Sequence, residues 1–433
     1  MHPKRAFVAL VAATVVAGTV ATTSLAQATE RQPGRDTARW VDTWTSMQQL
    51  VEPGNLPPAP FTSTDAVMVD TTLRQTIHVS LGGETLRIHV SNAFGGSDMP
   101  ITRAVIARPA GGQAGVSAVD AGSTRSLTFS GRTSVTVPVG AEMVSDPVDR
   151  TVAAQSNVSV TLYLAQGQAT TSVSGHPGSR TTSYLVKGDH ASDADLPGAT
   201  HVDHWYFLSS AEVIARQSAA AVDVLGDSLT DGRGSTTNAN NRWPDQLLAG
   251  LQQRRATGDV GVLNEAAGGN RVLHEGLGPN LMSRLDRDVF ALDGVRWVLV
   301  FEGVNDIGTA DATPQAQTQV GDDLIMAIDQ LITRAHAHDL RVYGATITPF
   351  GGNTSYDDAA GLREATRSRV NDWIRTGGRF DAVVDFDRAV ADPAAPRQLL
   401  AAYDVGDHLH MNPTGYGVLA ATVPPSLFQT GRS

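Results

Sequence analysis

The sequence predicts an α/β protein in two parts. A β-rich unit, sandwich or jelly-roll-like, precedes a parallel sheet with helices on both faces. From residue 71 to about 210, apolar and polar residues alternate in short runs with the period of half-buried strands. After residue 219 the pattern changes to compact apolar runs separated by helical segments. Placement is the third observation: polar, glycine-bearing clusters at 226–229, 268–270 and 303–306 each stand directly behind an apolar run. Open α/β sheets bind ligands at such strand ends.

Taken in chain order, Lys4 and Arg5 precede a largely apolar run at 6–21, and Ala26-Gln27-Ala28 offers small residues at the spacing a signal peptidase reads. Residues 1–28 therefore read as an export leader cleaved near Ala28, with the mature chain starting near Thr29. Gly18, Thr19, Thr22 and Thr23 break the run, which weakens a reading as a membrane anchor. Residues 31–39 belong with the leader segment. The β-rich domain spans 29–218 and is expected to be rich in hairpins. Leu73, Gln75, Ile77, Val79 and Leu81 lead into a Gly82-Gly83 turn, Leu86, Ile88 and Val90 follow, and Val158, Val160, Leu162 and Leu164 repeat the theme. Residues 191–199 read as a flexible loop. In the second domain, 219–433, strands are expected at 221–225, 260–263, 295–301, 340–347 and 382–386, with helices notably at 320–337 and 362–374.

Composition narrows the setting. The 433 residues carry a net charge of −11, from 33 Lys and Arg against 44 Asp and Glu, which argues against nucleic acid as a partner. There is no cysteine, so an exported product would fold without disulfides, and a chain of this size can bury cores that need none. No run after the leader suits a membrane span.

The chemistry sits in four blocks: Gly226-Asp227-Ser228-Leu229, Gly268-Gly269-Asn270, Gly303-Val304-Asn305-Asp306 and Asp407-His408-Leu409-His410. The first is not the G-x-S-x-G elbow of the common α/β-hydrolases. Taken together, the four resemble the SGNH (GDSL-type) esterases and lipases. The resemblance covers the C-terminal half, and Trp40-Val41-Asp42-Thr43-Trp44 extends it loosely to secreted members with a β-rich segment ahead of the catalytic domain. It implies a flavodoxin-like three-layer α/β/α catalytic domain. It also implies roles for Ser228, Gly269, Asn305 and His410, with Asp407 as the aspartate of the D-x-x-H pair. The second block reads Ala266-Ala267-Gly268-Gly269 where Ile-Ser-Gly is commoner, and the last reads His410-Met411-Asn412 where His-Pro-Asn is commoner. Gly268 and Gly269 are thus both open as the donor, Gly269 being preferred because Asn270-Arg271 follow it.

The same residues make chemical sense unaided. A serine hydroxyl needs a base, and His410 can take its proton and return it to a leaving alcohol. Asp407, three residues earlier, can orient that imidazole and stabilise its cation; Asp404, six residues away, is the weaker choice. The backbone amides of Ser228 and Gly269 with the side-chain amide of Asn305 would form the oxyanion hole. Singly, each block has a bland reading: Gly-Asp-Ser is a routine turn, and Asn305-Asp306 a loop cap in which Asp306 bonds local amides. Asp227 and Asp231 are expected to hold the serine turn by local hydrogen bonds. Trp243-Pro244 reads as a helix start packed on the core. No cofactor or metal is called for, because the His408 and His410 pair lacks a third ligand pattern. The expectation is an exported carboxylic ester hydrolase acting through an acyl-serine on small-molecule, lipid or polysaccharide esters, with short acyl esters of carbohydrate favoured. A lipase or phospholipase on longer chains, and a surface-binding protein with a vestigial hydrolase domain, are the alternatives.

Overall fold

Strand pairing in the computed structural model, which describes residues 38–429, begins with three larger antiparallel sheets and a two-stranded one, Met99–Ile101 with Val135–Val137. The leader expected at 1–28 lies outside the described residues. The strands that matter most are β1 (Ala38–Thr45), β2 (Thr71–Val79), β3 (Gly83–Ser91), β4 (Ser156–Leu164), β5 (Ser174–Pro177) and β6 (Leu208–Arg216). One five-stranded sheet runs β1, β6, β3, Val148–Val152, with Glu142–Val144 also paired to β3. A six-stranded sheet has β2 and β4 at its centre, and a three-stranded sheet places β5 between His204–Tyr206 and Gln49–Leu50. Alternate side chains of the longer strands, such as Leu73, Ile77, Leu86, Ile88, Val160 and Leu162, are buried in one apolar cluster, as the alternating sequence requires.

Gly82-Gly83 does not close a hairpin. β2 pairs with β4 and Ser183–Lys187, whereas β3 pairs with β6, so the turn carries the chain from one sheet to the other. Periodicity reports which face of a strand is apolar and not which strand lies beside it, so the two arrangements look alike in sequence. Close backbone approach explains the glycines. A Cβ at Gly82 would stand 2.7 Å from both Ala154 N and Val152 O, and one at Gly83 would stand 2.7 Å from Ile214 O. β1, which precedes the alternating stretch, pairs with β6 and brings the first and last strands of this region side by side.

The second region runs β7 (Ala220–Gly226), α1 (Ser228–Asp231), α2 (Trp243–Gln252), β8 (Val260–Ala266), β9 (Val295–Phe301), α3 (Val304–Thr309), α4 (Pro314–Ala337), β10 (Arg341–Ala345), α5 (Leu362–Thr376), β11 (Ala382–Val384) and α6 (Pro413–Thr422). Its five strands are parallel in the order β8-β7-β9-β10-β11, the flavodoxin-like order, with β7 between β8 and β9. α4 begins at Pro314, earlier than the apolar period suggests, because the Thr313 hydroxyl accepts from Ala316 N and proline suits the first turn. The last strand stops at Val384, because Asp385 caps a short helix, Phe386–Val390. Trp243 opens α2 fully buried, edge-on to Phe386 at 5.4 Å, with its indole N–H on Thr230 Oγ1 at 3.3 Å.

Each region has its own apolar cluster, yet the chain from Ala38 onward is one compact unit. Asp42 N donates to Asp293 O at 2.9 Å, Asp293 N returns a bond to the Asp42 carboxylate at 2.7 Å, and Ser80 Oγ donates to Val262 O. No described helix is long and apolar enough to cross a membrane.

Two glycine substitutions test this packing. Gly82→Ala should destabilise the protein by about 1–3 kcal/mol, the usual cost of overpacking a close contact. Gly250→Ala, inside α2 with nothing within 4 Å of the added Cβ, should stabilise it by about 0.5–1 kcal/mol. Chemical denaturation of both variants reads the two signs.

Candidate active site

β7 ends at Gly226, and the chain turns at once into α1. A Cβ at Gly226 would lie 2.4 Å from Thr230 Oγ1 and 2.8 Å from Phe301 O, so only glycine allows the turn to sit this close to β9. Asp227 is the N-cap, its carboxylate accepting from Leu229 N at 2.9 Å, and Gly232 ends the turn in the left-handed region at φ 98°. Ser228 therefore occupies the first helical position, with its amide at the positive end of the turn and its side chain at the sheet rim.

The last block meets it from the other side. Ser228 Oγ and His410 Nε2 are 2.8 Å apart, and His410 Nδ1 is 2.7 Å from Asp407 Oδ2. The other Asp407 oxygen accepts the His410 and Leu409 amides at 2.8 and 3.1 Å, which locks the three-residue turn joining the pair. Asn353 Nδ2 donates to the Asp407 carbonyl at 2.8 Å from a neighbouring loop. Asp404 has a different partner: its carboxylate accepts the His408 amide and pairs with His408 Nδ1 at 2.9 Å. His408, in the left-handed region at φ 60°, faces Asp404 and leaves Ser228 to His410.

Burial lowers the His410 pKa below its ordinary value. Asp407 pulls it partly back, and the charges of Arg233 and Arg180 add to the lowering. For Asp407, burial acts upward, but the His410 amide and ring outweigh it and hold the carboxyl below the usual range. The pair is thus set as neutral imidazole beside carboxylate, the state a general base requires.

The residues expected to supply the oxyanion hole lie together around Ser228. Ser228, Gly268, Gly269 and Asn305 all line one cleft with His410. Gly269 takes φ 75°, and a Cβ there would strike Leu277 Cδ1 at 2.5 Å, whereas Gly268 has neither constraint. Asn305 is held at both ends: Nδ2 donates to Asn270 O at 2.8 Å and Oδ1 accepts from the Tyr356 hydroxyl at 2.6 Å. One Nδ2 hydrogen is used in this way, which leaves the second for a ligand. Asp306 reaches beyond its own loop. Its carboxylate accepts Val272 N and Leu273 N at 2.9 and 3.0 Å, tying α3 to the segment that follows Gly269. Buried Arg284 braces the same segment, donating to Asn270 Oδ1 and Glu265 O.

The four blocks thus converge on one cleft, with the arrangement that acyl transfer to serine requires. Residues 224–418 match the model of the GDSL-like lipase/acylhydrolase family. This stretch is a GDSL-type acylhydrolase domain. It makes the protein a carboxylic ester hydrolase. No curated protein matches the chain. Among solved structures, the acetylxylan esterase Axe2 from Geobacillus stearothermophilus is 19% identical, over 47% of this chain and 91% of that chain, at a TM-score of 0.35. A GDSL-like lipase from Bacteroides thetaiotaomicron is 15% identical, over 47% and 84%, at 0.34. LAE5, an α/β hydrolase from the metagenome of Lake Arreo, Spain, is 22% identical, over 47% and 94%, at 0.35.

The GDSL domain does not make its cleft alone. Gln49, Glu52, Arg180 and His204 of the β-rich region line the same space, of about 790 Å³, as Ser228 and His410. Nothing in the local sequence marks these four. Tyr356 and Asn353 were missed as well; their signal was positional, a polar stretch behind a predicted strand, where sheets of this kind place ligand-facing loops. Asp231 also departs from expectation. Its carboxylate accepts from His176 Nε2 at 2.9 Å and Arg180 Nη2 at 3.2 Å, both in the β-rich region, and not from its own turn.

Asn305→Ala should lower kcat by roughly 10²–10³ with a smaller change in KM, because the donor acts on charge that develops in the transition state. Tyr356→Phe, which frees the amide to rotate, should give a smaller loss of the same kind. Steady-state kinetics on both variants check the order.

The pH dependence follows from the His410 environment. Only neutral imidazole accepts the serine proton, so kcat/KM should rise with pH through one ionisation below the ordinary histidine value of about 6.5. Arg233→Gln, which removes one depressing charge, should move that limb to higher pH. Asp407→Asn should cost up to about 10⁴ in kcat and Asp404→Asn little. Rates recorded across the acid limb for each variant decide these points.

Proposed function

We propose that the protein is an exported serine esterase that removes short acyl groups, acetyl foremost, from hydroxyl-rich alcohols such as carbohydrate. The observation that carries the chemistry is the continuous contact from Ser228 Oγ through His410 to Asp407 in a cleft that Gly269 and Asn305 also line. His410 Nε2 takes the hydroxyl proton as Ser228 Oγ attacks the ester carbonyl. The oxyanion is received by Ser228 N, Gly269 N and Asn305 Nδ2, each such donor being typically worth about 2.7–4 kcal/mol of barrier. The proton then passes to the departing alcohol, and water repeats the sequence on the acyl-serine.

The cleft supports the substrate class. Its walls include Gln49, Glu52, Asn55, Arg180, His204 and Ser355, with Pro177, Leu277 and Leu409 as aliphatic contacts. A long acyl chain needs a continuous apolar trough, whereas these donors and acceptors match a polyhydroxylated alcohol. Export rests on the basic, apolar and small-residue pattern of residues 1–28. N-terminal sequencing of protein recovered from culture medium should begin near Thr29, and an intact Met1 would remove this part of the proposal.

Ser228→Ala should abolish hydrolysis and leave the protein folded, because a rim hydroxyl contributes little packing. A fluorophosphonate should label the peptide carrying Ser228. Across p-nitrophenyl esters from acetate to palmitate, kcat/KM should be highest for the short acyl groups, and acetylated xylan should release acetate. Preference for palmitate would mean a lipase. Absence of both labelling and turnover would leave a binding protein with a vestigial site.

A further inference from the structure

Asp231 lies three residues beyond Ser228 on the same helical turn and is 1% exposed. A buried carboxylate needs partners, and both of its partners come from the β-rich region: His176 Nε2 at 2.9 Å and Arg180 Nη2 at 3.2 Å. His176 is itself 2% exposed, and its other ring nitrogen is 3.0 Å from the Met47 carbonyl oxygen, so its ring is fixed at both ends. It sits on β5, whose partner strands Gln49–Leu50 and His204–Tyr206 contribute Gln49 and His204 to the cleft wall. One small sheet therefore both walls the cleft and grips the serine turn.

That grip has a mechanical reason. α1 is a single turn of four residues, far too short to hold its shape unaided. Asp227 secures its start, Gly232 releases the chain at its end, and Trp243 and Asn264 of the same region bond Thr230, so Asp231 is the residue of the turn that ties it to the β-rich region. Placement of the hydroxyl matters steeply, a displacement of about 1 Å being able to cost on the order of 10²-fold in rate. We infer that Asp231, His176 and Arg180 form a positioning bridge through which the β-rich region holds Ser228 at hydrogen-bonding distance from His410. The region is on this account part of the catalytic apparatus and not an attachment to it. The inference rests on Ser228 being the nucleophile, as proposed above.

The test uses the full chain. Asp231→Asn keeps the shape and removes the charge, and His176→Ala removes the main clamp. Each should lower kcat by about 10- to 100-fold with KM within about threefold, measured on protein that melts well above the assay temperature. The rate of fluorophosphonate labelling of Ser228 should fall in the same proportion. His176→Gln, which retains a donor for Asp231, should recover part of the loss. Unchanged kcat and labelling rate in folded Asp231→Asn and His176→Ala, with only the melting temperature lowered, would overturn the bridge and leave an ordinary packing contact. Should both variants fail to fold, Arg180→Ala serves in their place, since this side chain is partly exposed. It should then slow labelling severalfold, and an unchanged labelling rate would overturn the bridge. The nucleophile assignment fails separately, through activity retained by Ser228→Ala.

Discussion

Parallel pairing of β7 between β8 and β9 is the constraint on which the rest of the site depends. Every residue of β7 is buried, and its register places Gly226 opposite Ala266 on one side and Phe301 on the other. Parallel strands aligned in this way end together, so the segments carrying Ser228, Gly269 and Asn305 leave the sheet at one edge. The fourth block reaches the same edge from the turn before α6, where Asn412 caps the helix by accepting Thr414 N and Gly415 N. A sheet slipped by one residue would separate the nucleophile from its oxyanion donors, whatever their identities.

Burial then governs the charges around that edge. Asp227 is pushed up to about 7 and Glu302 to about 8, in each case chiefly by desolvation, with neighbouring carboxylates adding to the effect. Carboxyls kept partly or wholly neutral near neutral pH oppose a developing oxyanion far less than full negative charges would. Asp407 and Asp231 behave differently: amides and the His410 ring hold Asp407 ionised where a negative charge favours the imidazolium, and Arg180 and His176 outweigh burial at Asp231 and hold it below the usual range. Acids near the same edge thus play opposite electrostatic parts, and hydrogen-bond donors distinguish them.

The β-rich region is bound to this arrangement at two levels. Backbone and side-chain bonds from Asp42 and Ser80 dock it on the loop before β9 and on β8. Polar side chains on its three-stranded sheet complete the cleft. A substrate entering the cleft therefore meets residues far apart in sequence: Gln49 and Glu52 near one end of the described chain, Asp407 and His410 near the other.

Local sequence determined a good deal here. Apolar runs at β7, β8 and β9, each ending in a glycine-bearing polar block, made the parallel sheet and the Ser228, Asn305, Asp407 and His410 set legible, because strand periodicity and turn chemistry act over a few residues. Strand partners were not legible. The Gly82-Gly83 turn crosses between sheets although its flanks alternate like a hairpin, since alternation encodes a buried face and carries no information about the neighbour. Long-range hydrogen bonding was equally invisible: Asp231 reaches His176, Asp306 reaches Val272, and Tyr356 fixes Asn305, each across tens of residues. Sequence by itself decided which chemical groups the chain carries and which local turns present them. Only the tertiary structure decided which of those groups meet, because a buried polar atom must find its partner wherever packing has brought one within reach.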